Sequence, residues 1–418
     1  MSEQAPARVK AEQAETFVSI MPVTPAFFIM SRYHSYLAAA TRIIETYQPP
    51  QPFALHLKKF FAADKKYGST DRKKIGTLCY HYFRVGRAFP SLAITDKILN
   101  GAFLCENTSS PLLELLKPEL NEHIEWALPE KLELLGIVWE DIFPFAGEIG
   151  EAVDANKFSL SLLQQPDLFL RIRPGKKEQA LHKLTAAAIG FEEMGEDALR
   201  LRNASALQNV LTLNEEVLVQ DLSSQQVFDE PGIFDRFSKD PKIAAWDCCA
   251  ASGGKSILLY DRLDKKPDLT VTDIRENILQ NLKLRLKEAR VAIRSSGVAD
   301  LTRLLPFDWP NFPLIICDAP CTGSGTWSRT PEQLYYFKEK QLAEYSALQK
   351  KIASRAAAHL DSGGLFFYIT CSVFAAENEQ NVQYLAEGTN LKFISSHYIN
   401  GYENRADTMF VAVFTTKD

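Results

Sequence analysis

The sequence predicts an α/β fold with a parallel sheet for its C-terminal part, preceded by a small α+β module and a helical N-terminal region. From about residue 243 onward, short apolar runs alternate with amphipathic helical segments. Such alternation is typical of βαβ units whose sheet is covered on both faces. Upstream, residues 30–150 carry apolar side chains mainly at helical spacing. These patterns predict three regions in series.

The strand candidates of the C-terminal part are Ile243–Asp247, Leu269–Asp273, Val298–Asp300, Leu314–Asp318 and Leu365–Thr370. Between them, Asn277–Ala289 and Leu342–His359 are predicted helices. Four of the five strands end at or beside an aspartate. Because ligands of such sheets bind beyond the carboxyl ends of the strands, these aspartates are expected to face a binding cleft.

The predicted organisation is a tail over residues 1–29, a helical domain over 30–150, a small α+β module over 151–235 and the α/β domain over 236–418. Met30 is an alternative natural start. In the helical domain, Asp71 is expected to be the N-cap of a helix that includes Ile75 to Phe83, and residues 48–52, rich in proline, are expected to form a loop. In the module, we expect a strand over 168–174, a helix over 177–189 and the start of another strand over 199–201.

Charge is distributed unevenly along the 418 residues. The net charge is −5, yet residues 32–90 contain eleven Lys or Arg against three Asp or Glu, a local balance of +8. Such a basic segment is either a solvated helix face or a surface that binds nucleic acid. No apolar run approaches the ~20 residues needed to span a bilayer, so no membrane association is expected.

The seven cysteines are scattered, and no Cys-x2-Cys pair occurs. A structural zinc site is therefore not expected, and no metal ligands are assigned. The odd count and the length of the chain favour reduced thiols in the cytoplasm. Cys79, Cys105, Cys248 and Cys317 are interpreted as small buried apolar side chains.

A glycine-containing turn, Ser252 to Lys255, follows the first of the C-terminal strands and precedes a predicted helix. Its spacing matches neither a phosphate-binding P-loop nor the Gly-x-Gly-x-x-Gly dinucleotide fingerprint. It is either a tight structural turn or a place where the backbone approaches a ligand closely. Asp273 ends the next strand and is suitably placed to accept hydrogen bonds from ribose hydroxyls, although a strand-end Asp can also be a simple cap.

Two cysteines stand out because each follows a buried strand and lies among polar or glycine residues. Cys321 belongs to the segment Asp318-Ala319-Pro320-Cys321-Thr322-Gly323-Ser324-Gly325, and Cys371 belongs to Thr370-Cys371-Ser372. A thiolate is a strong soft nucleophile where its surroundings favour ionisation. A nucleotide-type pocket with two thiols at its rim indicates covalent chemistry on a base.

The motifs from residue 220 to the C-terminus resemble the Sun (Fmu) family of RNA cytosine-5 methyltransferases. The strongest matches are residues 247–255, residues 318–325, and Thr370-Cys371-Ser372 followed by Glu377-Asn378-Glu379. Residues 407–412 are similar to the family's closing strand. Ser252 departs from the pattern, because the family usually has proline there. The resemblance implies a Rossmann-like class I methyltransferase domain that uses S-adenosylmethionine.

The resemblance also implies roles for individual residues. Cys371 would add to C6 of the target cytosine, Cys321 would assist release of the product, and Asp318 would bind the base at its N3/N4 edge. The methyl donor would be held by Cys249, Ala250, Ala251, Ser252, Gly253, Gly254, Lys255, Asp273, Arg275, Asp300 and Asp318. Thiolate addition at C6 makes C5 nucleophilic, which divides one difficult substitution into easier steps.

The expected partner is RNA, with ribosomal RNA favoured and transfer RNA as the alternative, and the chain is expected to be a monomer. The helical domain is similar to the NusB-like RNA-binding domain of some family members, and the module lies where the family carries a small RNA-recognition-like fold. The base must be unstacked to reach such a pocket, which favours unpaired RNA. A non-catalytic RNA-binding or ribosome-assembly protein on the same fold is a second hypothesis. A DNA cytosine methyltransferase is a poorer one, because it leaves Cys371 unexplained.

Overall fold

The computed structural model describes residues 25–203, 206–238, 242–264, 267–306 and 308–417. Its N-terminal region is helical, as predicted. The helices are α1 (Pro25–Thr46), α2 (Phe53–Ala63), α3 (Ser69–Arg84), α4 (Ile94–Cys105), α5 (Pro111–Leu116), α6 (Pro118–Asn121), α7 (Leu128–Leu134), α8 (Trp139–Ile142) and α9 (Ala155–Ser161). Within the described ranges, no helix combines the length and the apolar character needed to cross a membrane.

Two details of the N-terminal region differ from the expectation. Helix α1 begins at Pro25, so the last five residues of the expected tail are helical, while residues 1–24 lie outside the described residues. Helix α3 begins at Ser69, so Asp71 is not its N-cap. Asp71 lies inside the first turn instead, where its Oδ2 accepts a hydrogen bond from the Gly68 amide at 3.2 Å. The expected loop over residues 48–52 is present between α1 and α2.

The core of the helical region includes side chains from far along the chain. Aromatic residues of α2 and α3 pack with Tyr335 and Tyr336 of helix α14 (Pro331–Tyr336). The Tyr82 and Tyr335 hydroxyls lie 2.7 Å apart, and the Phe83 and Tyr335 rings are 5.6 Å apart. The helical region is therefore packed directly against the segment that follows the Cys321 loop.

The small module is an antiparallel sheet with one long helix, which agrees with the predicted α+β character. Its elements are β1 (Leu168–Ile172), α10 (Lys177–Ala186), β2 (Phe191–Glu193), β3 (Ala198–Leu201) and β4 (Val217–Val219), and the strand order is β2-β3-β1-β4. Two arginines of this module reach into the C-terminal part. Arg171 Nη1 donates to Asp261 Oδ2 at 2.7 Å, Arg173 Nη2 donates to Asp261 Oδ1 at 2.9 Å, and all three side chains are buried.

The C-terminal part contains a seven-stranded mixed sheet within the described residues. Its elements are α11 (Leu222–Gln225), β5 (Ile243–Asp247), α12 (Gly254–Arg262), β6 (Pro267–Asp273), α13 (Glu276–Glu288), β7 (Ile293–Val298), β8 (Phe312–Asp318), α14, α15 (Lys340–Ala357), β9 (Leu360–Thr370), α16 (Glu379–Gly388), β10 (Leu391–Asn400) and β11 (Thr408–Thr416). The strand order is β10-β11-β9-β8-β5-β6-β7, with β5 to β9 parallel and the β9–β11 and β10–β11 pairs antiparallel. Apolar clusters cover both faces of the sheet. This is the Rossmann-like arrangement that the alternation predicted, and its order reverses between β5 and β8, where ligands bind.

One predicted strand is misplaced. Strand β7 spans Ile293–Val298 rather than Val298–Asp300, and Asp300 lies beyond it in a turn. The strand is an edge strand whose middle, Arg294 to Gly297, is polar or small and largely exposed. Because none of its side chains is fully buried, the strand has no continuous apolar run that would reveal it in the sequence.

Candidate active site

A cavity of about 480 Å³ lies at the carboxyl ends of β5, β6, β8 and β9. Eight residues that the sequence analysis selected line it: Cys249, Ala251, Asp273, Arg275, Asp300, Asp318, Cys321 and Cys371. The other selected residues, Ala250, Ser252, Gly253, Gly254 and Lys255, do not line it and instead build the turn beside it. Unselected apolar residues complete the wall, among them Ile274, Leu301, Leu348 and Ile352. The sheet therefore brings donor-site and cysteine motifs to one cavity.

The turn between β5 and α12 owes its shape to residues in the left-handed region. Ala251 has φ 45° and Gly253 has φ 81°. A Cβ on Gly253 would lie 2.3 Å from Leu282 Cδ1, so a side chain there would have to displace this buried leucine of α13. Ser252, the departure from the family pattern, accepts hydrogen bonds from Arg285 through both its carbonyl oxygen (3.1 Å) and its Oγ (3.0 Å). The serine thus ties the turn to α13.

Asp273 is held in place at the end of β6. Its Oδ2 accepts from the Ala251 amide at 3.1 Å, and its Oδ1 accepts from the Arg275 amide and Nε, both at 2.9 Å. Burial alone would raise the pKa of Asp273, but the hydrogen bonds from Arg275 hold that pKa below its ordinary value. The carboxylate is therefore ionised at neutral pH and available as a hydrogen-bond acceptor at the cavity wall.

The two cysteines meet because their strands are parallel neighbours. In the register of β8 and β9, Asp318 lies opposite Ile369, so the loops after both strands leave the sheet side by side. The Sγ atoms of Cys321 and Cys371 are 3.3 Å apart. The neighbouring Cys371 sulfur and burial raise the pKa of the Cys321 thiol well above its ordinary value. Cys321 therefore keeps its proton at neutral pH.

Lys255 forms an ion pair with Asp318, a residue of the cavity wall, with Nζ and Oδ2 2.7 Å apart. Burial alone would lower the pKa of Lys255, but the Asp318 carboxylate raises it above its ordinary value. The lysine is therefore charged and orients the carboxylate. The residues are 63 positions apart, so their sequence spacing did not indicate the pair.

A buried acid that received no role from the sequence, Glu377, connects the two cysteine loops. Its carboxylate accepts hydrogen bonds from the Thr322 amide at 2.9 Å, from the Thr322 hydroxyl at 2.5 Å, from Gln349 at 2.8 Å and from the Ser372 hydroxyl. Thr322 directly follows Cys321, and Ser372 directly follows Cys371. A hydroxyl residue after each cysteine was the sequence signal that could have identified this link.

Asp247 at the end of β5 is buried, and its Oδ2 accepts from Ser256 Oγ at 2.6 Å. Burial raises its pKa to about 7. The folded protein thus binds a proton that the unfolded chain, with an ordinary carboxyl pKa near 4, has already released. Between pH ~4 and ~7 the contribution of Asp247 to the free energy of unfolding consequently falls as the pH rises, by up to about 4 kcal/mol.

We expect Asp247→Asn to remove this part of the pH dependence, because an amide mimics the protonated carboxyl and keeps the acceptor for Ser256. The free energy of unfolding, measured by urea denaturation from pH 4.5 to 8, should fall less steeply in the variant than in the wild type. Asp264→Asn, an exposed acid after α12, is the matched control. Parallel pH profiles for Asp247→Asn and wild type would contradict the assignment.

Comparison with known proteins finds a family that resembles the part of the chain that carries this site. Residues 238–411 match the family described as 16S rRNA methyltransferase RsmB/F. The chain is 30% identical over 268 residues to the ribosomal RNA small subunit methyltransferase B of Serratia proteamaculans, covering 62% of this chain and 56% of that protein. It is 27% identical over 265 residues to the probable ribosomal RNA small subunit methyltransferase B of Bacillus subtilis, covering 62% and 54%. The chain thus spans a little over half the length of these curated relatives.

Solved structures share the fold at low sequence identity. PH0851 superposes with a TM-score of 0.67 at 17% identity, covering 92% of this chain and 98% of that chain. NSun6 from Pyrococcus horikoshii superposes with a TM-score of 0.55 at 14% identity, covering 67% and 97%. These structures support the Rossmann-like fold. The family match over residues 238–411 includes the motifs that line the cavity. The comparisons thus show that residues 238–411 of the chain are similar to the 16S rRNA methyltransferase RsmB/F family and share its Rossmann-like fold.

Proposed function

We propose that the chain transfers a methyl group from S-adenosylmethionine to C5 of a cytosine in RNA, through a covalent bond between Cys371 and C6 of the base. The observation that carries this proposal is the pair of sulfurs, 3.3 Å apart, at the rim of a cavity that also presents Asp273 and Asp318. One thiol that keeps its proton beside a second thiol suits a reaction in which one sulfur bonds the base and the other assists its release.

The cavity fits the proposed donor. Its volume of about 480 Å³ is in the range of cofactor sites. Asp273 supplies an ionised acceptor for ribose hydroxyls, and Ile274 and Leu301 supply apolar wall for a base. Ala251 of the turn before α12, Arg275 and Asp300 also line the cavity. When bound, S-adenosylmethionine supplies an electrophilic methyl group.

Different residues of the chain then act on the base. The Cys371 thiolate forms a bond to C6, which places electron density at C5. Asp318, held by Lys255, faces the N3/N4 edge of the base and favours the adduct. After methyl transfer a base takes the proton from C5, the electron pair of that bond re-forms the C5=C6 bond, and the Cys371–C6 bond breaks to leave the Cys371 thiolate. Cys321, 3.3 Å from that sulfur, is placed to exchange a proton with the departing thiolate.

We propose Glu377 as a positioning residue for this pair. It touches neither reacting sulfur but accepts hydrogen bonds from the residue after each cysteine. Glu377→Gln should lower kcat about tenfold to a hundredfold, because the amide presents a donor where the buried site requires acceptors, at a cost of ~1–3 kcal/mol. KM for the methyl donor should stay within twofold.

Steady-state kinetics with varied donor would test this role, with Glu344→Gln as the matched control, because Glu344 is an exposed acid on α15. Glu377→Asp, which keeps the charge, should recover part of kcat. An unchanged kcat in a folded Glu377→Gln protein would exclude the positioning role.

We propose ribosomal RNA rather than transfer RNA as the substrate, because the relatives' names specify the small ribosomal subunit.

We further propose that residues 30–150 and the small module bind RNA. Lysines of α2, α3 and the loop between them are exposed, namely Lys58, Lys59, Lys65, Lys66, Lys73 and Lys74. Contacts to phosphates by such a surface would weaken as salt rises. Reactive thiols also favour a reducing compartment, so we propose a cytoplasmic location.

The double variant Lys65→Ala/Lys73→Ala should bind RNA about tenfold more weakly, with a salt-dependence slope smaller by about 1 to 2, because each phosphate contact contributes ~0.7–0.9 to that slope. Fluorescence anisotropy with labelled RNA between 50 and 250 mM salt measures both quantities. Lys283→Ala/Lys287→Ala on α13 removes two exposed lysines elsewhere and is the control. Equal slopes for the two double variants would place the RNA on another surface.

The activity itself is tested by incubating the protein with radiolabelled S-adenosylmethionine and unmodified small-subunit ribosomal RNA, transfer RNA or DNA. Label recovered as 5-methylcytidine in one RNA class would support the reaction and identify the substrate class. If no RNA is labelled, the assay is repeated on immature small-subunit particles. Donor binding without label in any of them would favour the non-catalytic assembly hypothesis.

A further inference from the structure

Three thiols form a cluster at the wall of the cavity, separate from the Cys321–Cys371 pair. Cys248 and Cys249 follow β5, and Cys317 is the penultimate residue of β8, the strand beside β5. The Cys248 amide donates to Ile316 O at 3.0 Å, which fixes the two strand ends together. The three Sγ atoms all lie within 4.8 Å of one another. A sequence without any Cys-x2-Cys pair therefore still assembles a three-sulfur site.

The cluster is reached from the cavity. Cys248 and Cys249 line the cavity wall, while Cys317 is fully buried behind them. Cys249 is only half-buried, so a small solute in the cavity meets its sulfur first.

Charge decides which ion suits the cluster. Three thiolates around a divalent ion would leave a net charge of −1 in this buried setting, which is costly. Structural zinc also requires four ligands, and the cluster found in the described ranges offers three. Three thiolates around a trivalent soft ion form a neutral complex.

We propose that Cys248, Cys249 and Cys317 form a binding site for trivalent arsenic in the form of arsenite. Arsenous acid and the three thiols combine with release of three water molecules. Three As–O and three S–H bonds break, three As–S bonds form, and no atom changes oxidation state. The soft sulfur ligands match a soft acceptor. Because Cys248 and Cys249 belong to the cavity wall, the bound ion would alter the surface that faces Asp273 and Asp318.

The test uses the full-length double variant Cys321→Ala/Cys371→Ala, which removes the other close pair of thiols and needs no methyl transfer as a readout. After incubation with sodium arsenite and desalting, native mass spectrometry gives the number of arsenic atoms per chain and, from the added mass, the number of thiol protons that each arsenic has replaced. We expect one arsenic per chain, the loss of three thiols and a raised Tm, since an ion that binds only the folded state stabilises it.

Adding Cys249→Ser should weaken arsenite binding at least tenfold, and adding Cys79→Ser, a buried thiol of α3 outside the cluster, should leave it unchanged. Circular dichroism and Tm without arsenite establish that each variant is folded, and Cys248→Ser replaces Cys249→Ser if the latter is not. No retained arsenic in the parent, a loss of two thiols rather than three, or equal binding by the cluster variant and the parent would overturn the proposal.

Discussion

Cys371→Ala should reduce methyl transfer to RNA on the order of 10⁴-fold or more, while binding of the methyl donor changes less than twofold. The sulfur is proposed to form the bond that activates C5. Cys321 does not replace it, because burial still raises the pKa of the Cys321 thiol when the Cys371 sulfur is absent. Removing a covalent nucleophile eliminates the steps that depend on it rather than weakening one contact. Single-turnover assays with labelled donor measure the loss.

Donor binding by equilibrium dialysis separates a chemical defect from a misfolded protein. Cys105→Ala removes a cysteine at the end of α4 that does not line the cavity, and it should retain full activity. A Cys371→Ala protein that methylates RNA at the wild-type rate would exclude Cys371 as the nucleophile.

Cys321→Ala should accumulate a covalent complex between protein and RNA. With Cys321 absent, formation of the Cys371–C6 bond and methyl transfer proceed, but release lacks its assisting thiol and slows about 10²- to 10³-fold. The complex survives denaturing electrophoresis as a slowly migrating band that contains both the protein and the methyl label. Cys321→Ala should therefore lose multiple turnover while it completes about one turnover.

The double variant Cys321→Ala/Cys371→Ala is the control, because it lacks the sulfur that forms the bond and should give no band. If the band persists in the double variant, another nucleophile holds the RNA. If neither variant forms a band although Cys371→Ala is inactive, Cys321 does not act in release.

The sequence located the strands that are buried on both faces. Strand β5 was predicted with its bounds, and β8 and β9 were predicted at their carboxyl ends, because continuous apolar runs end there in polar residues. The edge strands β7 and β10 were misplaced or missed, since each is largely exposed and shows neither a clear apolar run nor clean alternation. Burial, rather than propensity, decided which strands could be recognised.

The same limit applies to the site. The motifs indicated which residues line the cavity, because each motif follows a strand whose end lies at one edge of the sheet. The motifs did not indicate the contacts between segments, such as Lys255 with Asp318 or Glu377 with Thr322, which join residues 63 and 55 positions apart. Nor did spacing reveal that Cys317 lies beside Cys248, because their proximity depends on β5 and β8 being neighbours.

The packing of Tyr335 and Tyr336 in the core of the helical region has a consequence for protein engineering. If an N-terminal domain from another protein were joined to residues 236–418, Tyr335 and Tyr336 would lose their packing partners on α3. The two aromatic side chains would then be exposed to water. Functional chimeras should therefore require α14 to be exchanged together with the domain it contacts. The unit that can be recombined is then discontinuous in sequence, and part of it lies between Cys321 and Cys371.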